Sequence, residues 1–171
     1  MERTPSQTVG PFFHEALRWR DGHRAAFAEP GQDIVVVGRM LDGAGAPVAD
    51  ALVESWQKSP TGEAPAGGKS GNPYGFARVE TKKDGTFRIE TRLPGGSAPY
   101  LDVLIVARGL LKPLRTRVYL APEAQVRADP AMKPLAASPR LATLVAAPAA
   151  ANEYRWEVRL QGEGETVFFS A

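Results

Sequence analysis

Histidine occurs only twice in the chain, at His14 and His23, and cysteine not at all. Every residue beyond His23 therefore lacks an imidazole, so a Ser-His-Asp triad could be assembled only by borrowing from the N-terminal segment. Thiolate nucleophiles, disulfides, iron–sulfur clusters and Cys-ligated zinc are excluded outright. Glu54, two residues before Trp56, and Asp102, inside an apolar run, are the acids in core-like segments. A single buried carboxylate does not make a general acid/base pair. Gly162-Glu163-Gly164-Glu165 has the glycines of a phosphate cradle, but its two carboxylates stand where the anion would sit, so it reads as a hairpin turn. Basic residues cluster at Arg108, Lys112, Arg115 and Arg117. Arg115 and Arg117 alternate with Thr116 and Val118 and read as the solvated face of a strand. Arg108 differs: it ends the apolar run that begins at Leu101 and precedes Gly109, where the backbone can turn sharply. It is read either as a ligand for an anion or oxyanion or as the mate of a partner's carboxylate.

The elements that must position these residues are strands. The chain has 171 residues, 43% hydrophobic and 23% charged, with a formal net charge of +2. That composition suits one globular domain and gives no footing for disorder, a membrane span or a general nucleic-acid binder. Seventeen Gly and fifteen Pro cut it into short pieces whose apolar residues recur with period two. Strands are expected over 33–41, 51–57, 75–81, 86–91, 101–107, 115–120, 153–161 and 165–169, with the runs from Ile34 to Val37 and from Leu101 to Ala107 buried on both faces. Asp84-Gly85 is the dipeptide of a type I′ hairpin. Helix is limited to short turns near 123–127 and 140–145. The expected fold is all-β: an antiparallel two-sheet β-sandwich over 33–171, preceded by an extended arm over 1–32 whose Phe12 and Phe13 require burial against something else. Residues 58–73 form a long mobile loop and 128–152 an Ala/Pro-rich meander. No apolar signal segment stands near the N-terminus, so the expected location is cytoplasmic.

Four stretches together resemble the intradiol ring-cleaving dioxygenases. They are Thr4-Pro5-Ser6-Gln7-Thr8-Val9-Gly10-Pro11-Phe12-Phe13; Val36-Val37-Gly38-Arg39-Met40 with Val53-Glu54 and Trp56-Gln57; Val106-Ala107-Arg108-Gly109-Leu110-Leu111; and Arg159-Leu160-Gln161-Gly162-Glu163-Gly164-Glu165-Thr166-Val167-Phe168-Phe169. The second is similar to the family's signature strand pair, with Ser55 where that signature has an apolar residue. The last two are similar to its alpha-type subunits in particular. The resemblance implies a ferric site of two tyrosinates and two histidines that cleaves a catechol with dioxygen, hard phenolate oxygens stabilising Fe(III). In this chain the four ligand positions fall on Ala64, Ser97, Tyr100 and Asp102. The resemblance therefore implies no catalytic residue and no metal in this chain, with the iron held by a homologous beta subunit of a hetero-oligomer. It implies further that Thr8, Gly10, Pro11 and Arg108 line one wall of the partner's pocket for a small aromatic substrate, and that the arm docks on that partner. A binding or scaffold module of the same ancestry is the alternative.

Overall fold

The computed structural model describes residues 4–5, 7–8, 10, 16–18, 20–27, 30–64, 68–69 and 72–170. Ten strands are present among them: β1 Asp33–Leu41, β2 Leu52–Trp56, β3 Gly68–Lys69, β4 Asn72–Pro73, β5 Phe76–Glu80, β6 Thr86–Arg92, β7 Tyr100–Val106, β8 Leu114–Tyr119, β9 Ala147–Ala150 and β10 Glu153–Arg159. Two four-stranded sheets have the orders β6-β1-β10-β9 and β5-β2-β7-β8, and β3 and β4 form a separate small ribbon. The all-β, two-sheet reading holds, with one parallel pair, β1 with β10, in an otherwise antiparallel arrangement.

Alternation explains the packing. Ile34, Val36, Met40, Phe87, Ile89, Trp156 and Val158 from the first sheet meet Val53, Ala77, Leu101, Val103, Ile105 and Val118 from the second in one buried cluster. Burying each of the larger aliphatic and phenylalanine side chains contributes roughly 1.5–3 kcal/mol. Gly38 lies between its cross-strand mates Phe87 and Trp156, whose rings meet edge to face at 6.4 Å. A Cβ on Gly38 would collide with the Phe87 ring, so the aromatic pair needs glycine there.

Several expectations are corrected. Val35 and Val37, like Asp102, Leu104 and Val106, are only partly buried, so both apolar runs are covered on one face rather than two. Asp84-Gly85 does not close a hairpin within one sheet: β5 and β6 belong to different sheets, and the turn carries the chain between them. Gly85 has φ 77° and Asp84 is absent from the positive-φ residues, so the turn is not type I′. The stretch 165–169 is not a strand, making a single bridge from Phe169 to Arg115. The short pairs β3 and β4 lie within the expected loop over 58–73, and β9 lies within the meander.

A second apolar cluster sits outside the sandwich. Tyr119 alternates with Val118 and so faces away from the main core, where Val126, Met132, Leu141 and Leu144 cover it. These come from the helix α1 Glu123–Ala128 and two 3-10 turns, Pro130–Leu135 and Pro139–Leu144. Pro130 and Pro139 open those turns, capped by the Asp129 and Ser138 side chains. No helix among the described residues is long and apolar enough to cross a membrane. Residues 17–18 and 20–26 run along the sandwich: Arg78 donates from its backbone to Gly22 and from its side chain to Leu17, and Ala25 donates to Glu90.

Candidate functional site

Two groups of sequence-selected residues lie at opposite ends of β7. At its C-terminal end the strand stops at Val106, Ala107 is buried, and Arg108 emerges with a side chain 59% exposed. Its guanidinium pairs with Asp50, which holds φ 65° in the connection between β1 and β2. The arm arrives at the same place: the Gly109 N–H donates to Thr8 Oγ1 at 3.0 Å. Gly10 has φ 74° and open space where a side chain would begin. Pro11, Phe12 and Phe13 lie outside the described residues. Thr8 and Arg108 are thus neighbours, and Asp50, which sequence reasoning missed, holds the arginine. Nothing local in the sequence marks a pair 58 positions apart.

At the N-terminal end of β7, Tyr100 and Asp102 share the outer face of the second sheet, opposite Tyr119 and Arg117 of β8. The loops carrying Ala64 and Ser97 come to this end as well, joined by a Gly95 N–H donating to Ser59 O at 2.9 Å and packed so closely that a Cβ on Gly95 would strike the Gly62 backbone. All four positions are therefore gathered at one end of the sheet, but they do not fit an iron ion. The Ala64 side chain has no ligand atom, and the Asp102 carboxylate accepts from Arg117 Nε at 2.8 Å. The same guanidinium lies 4.2 Å over the Tyr100 ring and 5.9 Å from that of Phe169. Among the described residues no three His, Cys, Asp or Glu converge on a metal position.

Arg117, expected on a solvated face, is instead only 23% exposed in its side chain, because Tyr100 and the C-terminal Phe169 flank it. Burial works against its charge, yet hydrogen bonds to Asp102 and the Tyr119 hydroxyl hold its pKa above the usual guanidinium value. Burial, reinforced by the Asp129 carboxylate that accepts its proton at 2.9 Å, pushes the Tyr119 phenol up, against the opposing hydrogen bond to Arg117. The group is a closed acid–base network with both anions matched, suited to structure and not to proton transfer near neutrality. Glu54, the other core-segment acid, pairs with Arg78 at 2.6 Å on the same outer face. Register across strands, which no local pattern announces, creates both pairs.

The distance between the two groups matters more than either alone. Asp102 and Arg108 are six residues apart along an extended chain, about 20 Å at 3.3 Å per residue. Arg108 and Thr8 therefore cannot act on anything held at Tyr100 and Asp102 of the same chain.

A family profile described as Dioxygenase matches residues 9–102. The protocatechuate 3,4-dioxygenase alpha chain of Burkholderia cepacia is 38% identical, aligning with 99% of this chain and 98% of its own length. That of Pseudomonas putida is 34% identical over 99% and 96%. Among solved structures, 3-chlorocatechol 1,2-dioxygenase from Rhodococcus opacus shares the fold with a TM-score of 0.63 at 21% identity, covering 90% of this chain and 71% of that one. The dioxygenase domain of a carbohydrate-binding fusion protein from Streptomyces does so with a TM-score of 0.61 at 22% identity, covering 94% and 99%. The chain belongs to the intradiol ring-cleavage dioxygenases, on the branch of the protocatechuate 3,4-dioxygenase alpha chains.

Proposed function

We propose that this chain is the iron-free alpha subunit of a protocatechuate 3,4-dioxygenase. It completes the substrate pocket of a homologous beta subunit that holds Fe(III) and cleaves protocatechuate with O2 to 3-carboxy-cis,cis-muconate in the cytoplasm. The observation that carries this reading is the separation along β7. The arm residue Thr8 and the exposed Arg108 are assembled as a neighbouring pair at one end, about 20 Å from the ligand positions at the other. A recognition surface so far from its own chain's vestigial site has use only towards another chain.

When bound in the partner, the ferric iron supplies the ring-cleaving chemistry with dioxygen. This chain's residues bind and orient. Arg108 presents a guanidinium fork suited to a carboxylate or a developing oxyanion, and the Asp50 carboxylate steadies it. Gly10, with open space at its missing Cβ, lets a flat ring approach the arm's backbone, and Pro11 stiffens that wall. Residues 1–32 serve as the arm, with Phe12 and Phe13 buried against the partner subunit and 33–171 as the sandwich.

Co-expression with a homologous beta chain tests the reading. A tag on this chain is expected to bring down an iron-containing homologue, and the complex to consume oxygen with protocatechuate. A chain that purifies alone, or with a partner lacking iron, would instead be a scaffold or binding module of the same ancestry.

A further inference from the structure

The outer face of the β6-β1-β10-β9 sheet takes no part in the proposed function and lies on the other sheet from Tyr100 and Asp102. Side chains alternate along each strand, so with Val36, Ile89 and Trp156 turned into the core their neighbours face outward, in rows set by register. One row reads Glu90, Val35, Glu153 across β6, β1 and β10, and the next reads Arg88, Val37, Arg155. Further out along β1, on the same face, stand Asp33, with a side chain 88% exposed, and Arg39, also exposed. Every second residue of β1 thus runs acid, valine, valine, base. Beside it a pair of acids is followed by a pair of bases.

The signs invert about one line, which crosses the strands between Val35 and Val37. A surface matches itself in a two-fold dimer when each part meets its own mirror position in reverse. An axis along that line sets Glu90 against Arg88 of the other copy, Glu153 against its Arg155, and Asp33 against its Arg39. Val35 meets Val37 at the centre. An axis along the strands would instead set Arg88 against Arg155 and Glu90 against Glu153, so the charges also fix the orientation. Within one chain Arg88 pairs with Glu90 at 3.1 Å and Arg155 with Glu153 at 3.5 Å, yet the arginine side chains stay 47% and 72% exposed. A guanidinium has donors enough to reach a second carboxylate, and facing sheets about 10 Å apart bring these long side chains within reach.

We infer that this face pairs with the same face of a second copy of the chain, in a two-fold dimer held by complementary charge around the two valines. The contact uses neither Arg108 nor the arm, and its test needs no beta chain, so it stands or falls separately from the proposed subunit role.

Sedimentation equilibrium of the full-length chain tests it, at ionic strengths of about 0.05 M and about 0.5 M. A monomer–dimer equilibrium is expected, with Kd rising about tenfold or more at the higher salt. Arg39→Asp sets two acids against each other at both ends of the interface and should weaken the dimer by about tenfold or more. Adding Asp33→Arg to that variant restores the match and should recover the dimer. Asp33 and Arg39 are six residues apart on their own strand, about 20 Å at 3.3 Å per residue, so recovery reports pairing between copies and not within one. Arg115→Asp, the same change of charge on the outer face of the other sheet, should leave Kd unchanged. A chain that stays monomeric at the lower salt, a dimer indifferent to salt or to Arg39→Asp, or a double variant no better than Arg39→Asp alone would overturn the inference.

Discussion

The Gly109 N–H donates to Thr8 Oγ1 at 3.0 Å, joining residues 101 positions apart. The contact fastens Thr8 to the backbone immediately after Arg108, so the threonine and the arginine are held side by side. Thr8→Val keeps the shape and removes the acceptor. A net hydrogen-bond contribution of about 0.5–1.5 kcal/mol corresponds to roughly two- to tenfold. The assembled enzyme should lose that much kcat/KM, measured by oxygen uptake, without a change in the fold of this chain.

Arg108→Ala should be more damaging. A charge-assisted hydrogen bond is worth about 1.5–3 kcal/mol, or roughly 10- to 150-fold in kcat/KM if the contact tightens towards the transition state. Steady-state kinetics of an intact complex check this; unchanged values would remove Arg108 from the pocket.

Deleting residues 1–13 should weaken association with the partner and spare the sandwich. The chain is already held to its own sheets further on, through backbone bonds from Arg78 to Gly22, Ala25 to Glu90 and Gly75 to Ala26. Analytical ultracentrifugation beside thermal unfolding separates the two effects. An unfolded truncation with no separable association defect would place the arm in this chain's own core.

The purified chain should take up no ferric iron and remain colourless after loading and dialysis. Arg117 already occupies the Asp102 carboxylate and covers the Tyr100 ring. Stoichiometric iron with a visible tyrosinate-to-iron charge-transfer band would contradict the subunit assignment.

Ser55 points into the main core, 1% exposed, and its hydroxyl has no partner among the described residues. A buried unsatisfied hydroxyl costs roughly 1–3 kcal/mol. Ser55→Ala removes it with little change of volume and should raise stability. For a chain of this size each kcal/mol moves Tm by about 2–4 °C, which calorimetry can read; a lowered Tm would mean that the hydroxyl is satisfied, for example by a bound water.

Strand positions were legible in the sequence because side-chain direction alternates residue by residue. The apolar Tyr154, Trp156 and Val158 against Arg155 and Glu157 declare a half-covered strand before any neighbour is known. The chain's poverty in imidazole and thiolate is likewise a property of composition alone. Arg108 stood out locally, as a charge ending an apolar run beside glycine. What tertiary structure decided is which strands meet and in what register. Asp84-Gly85 reads the same whether it closes a hairpin or crosses between sheets, since its local chemistry does not know where β6 pairs. Arg115 and Arg117 are indistinguishable by alternation, both pointing outward from β8. Only the pairing of β7 with β8 sets Arg117 opposite Asp102, and only the returning C-terminal tail covers it with Phe169, leaving Arg115 exposed. The Arg108–Asp50 pair is of the same kind, because it continues the antiparallel register of β2 with β7 two residues beyond Leu52 and Val106, and the Gly109–Thr8 bond brings the arm to that same end.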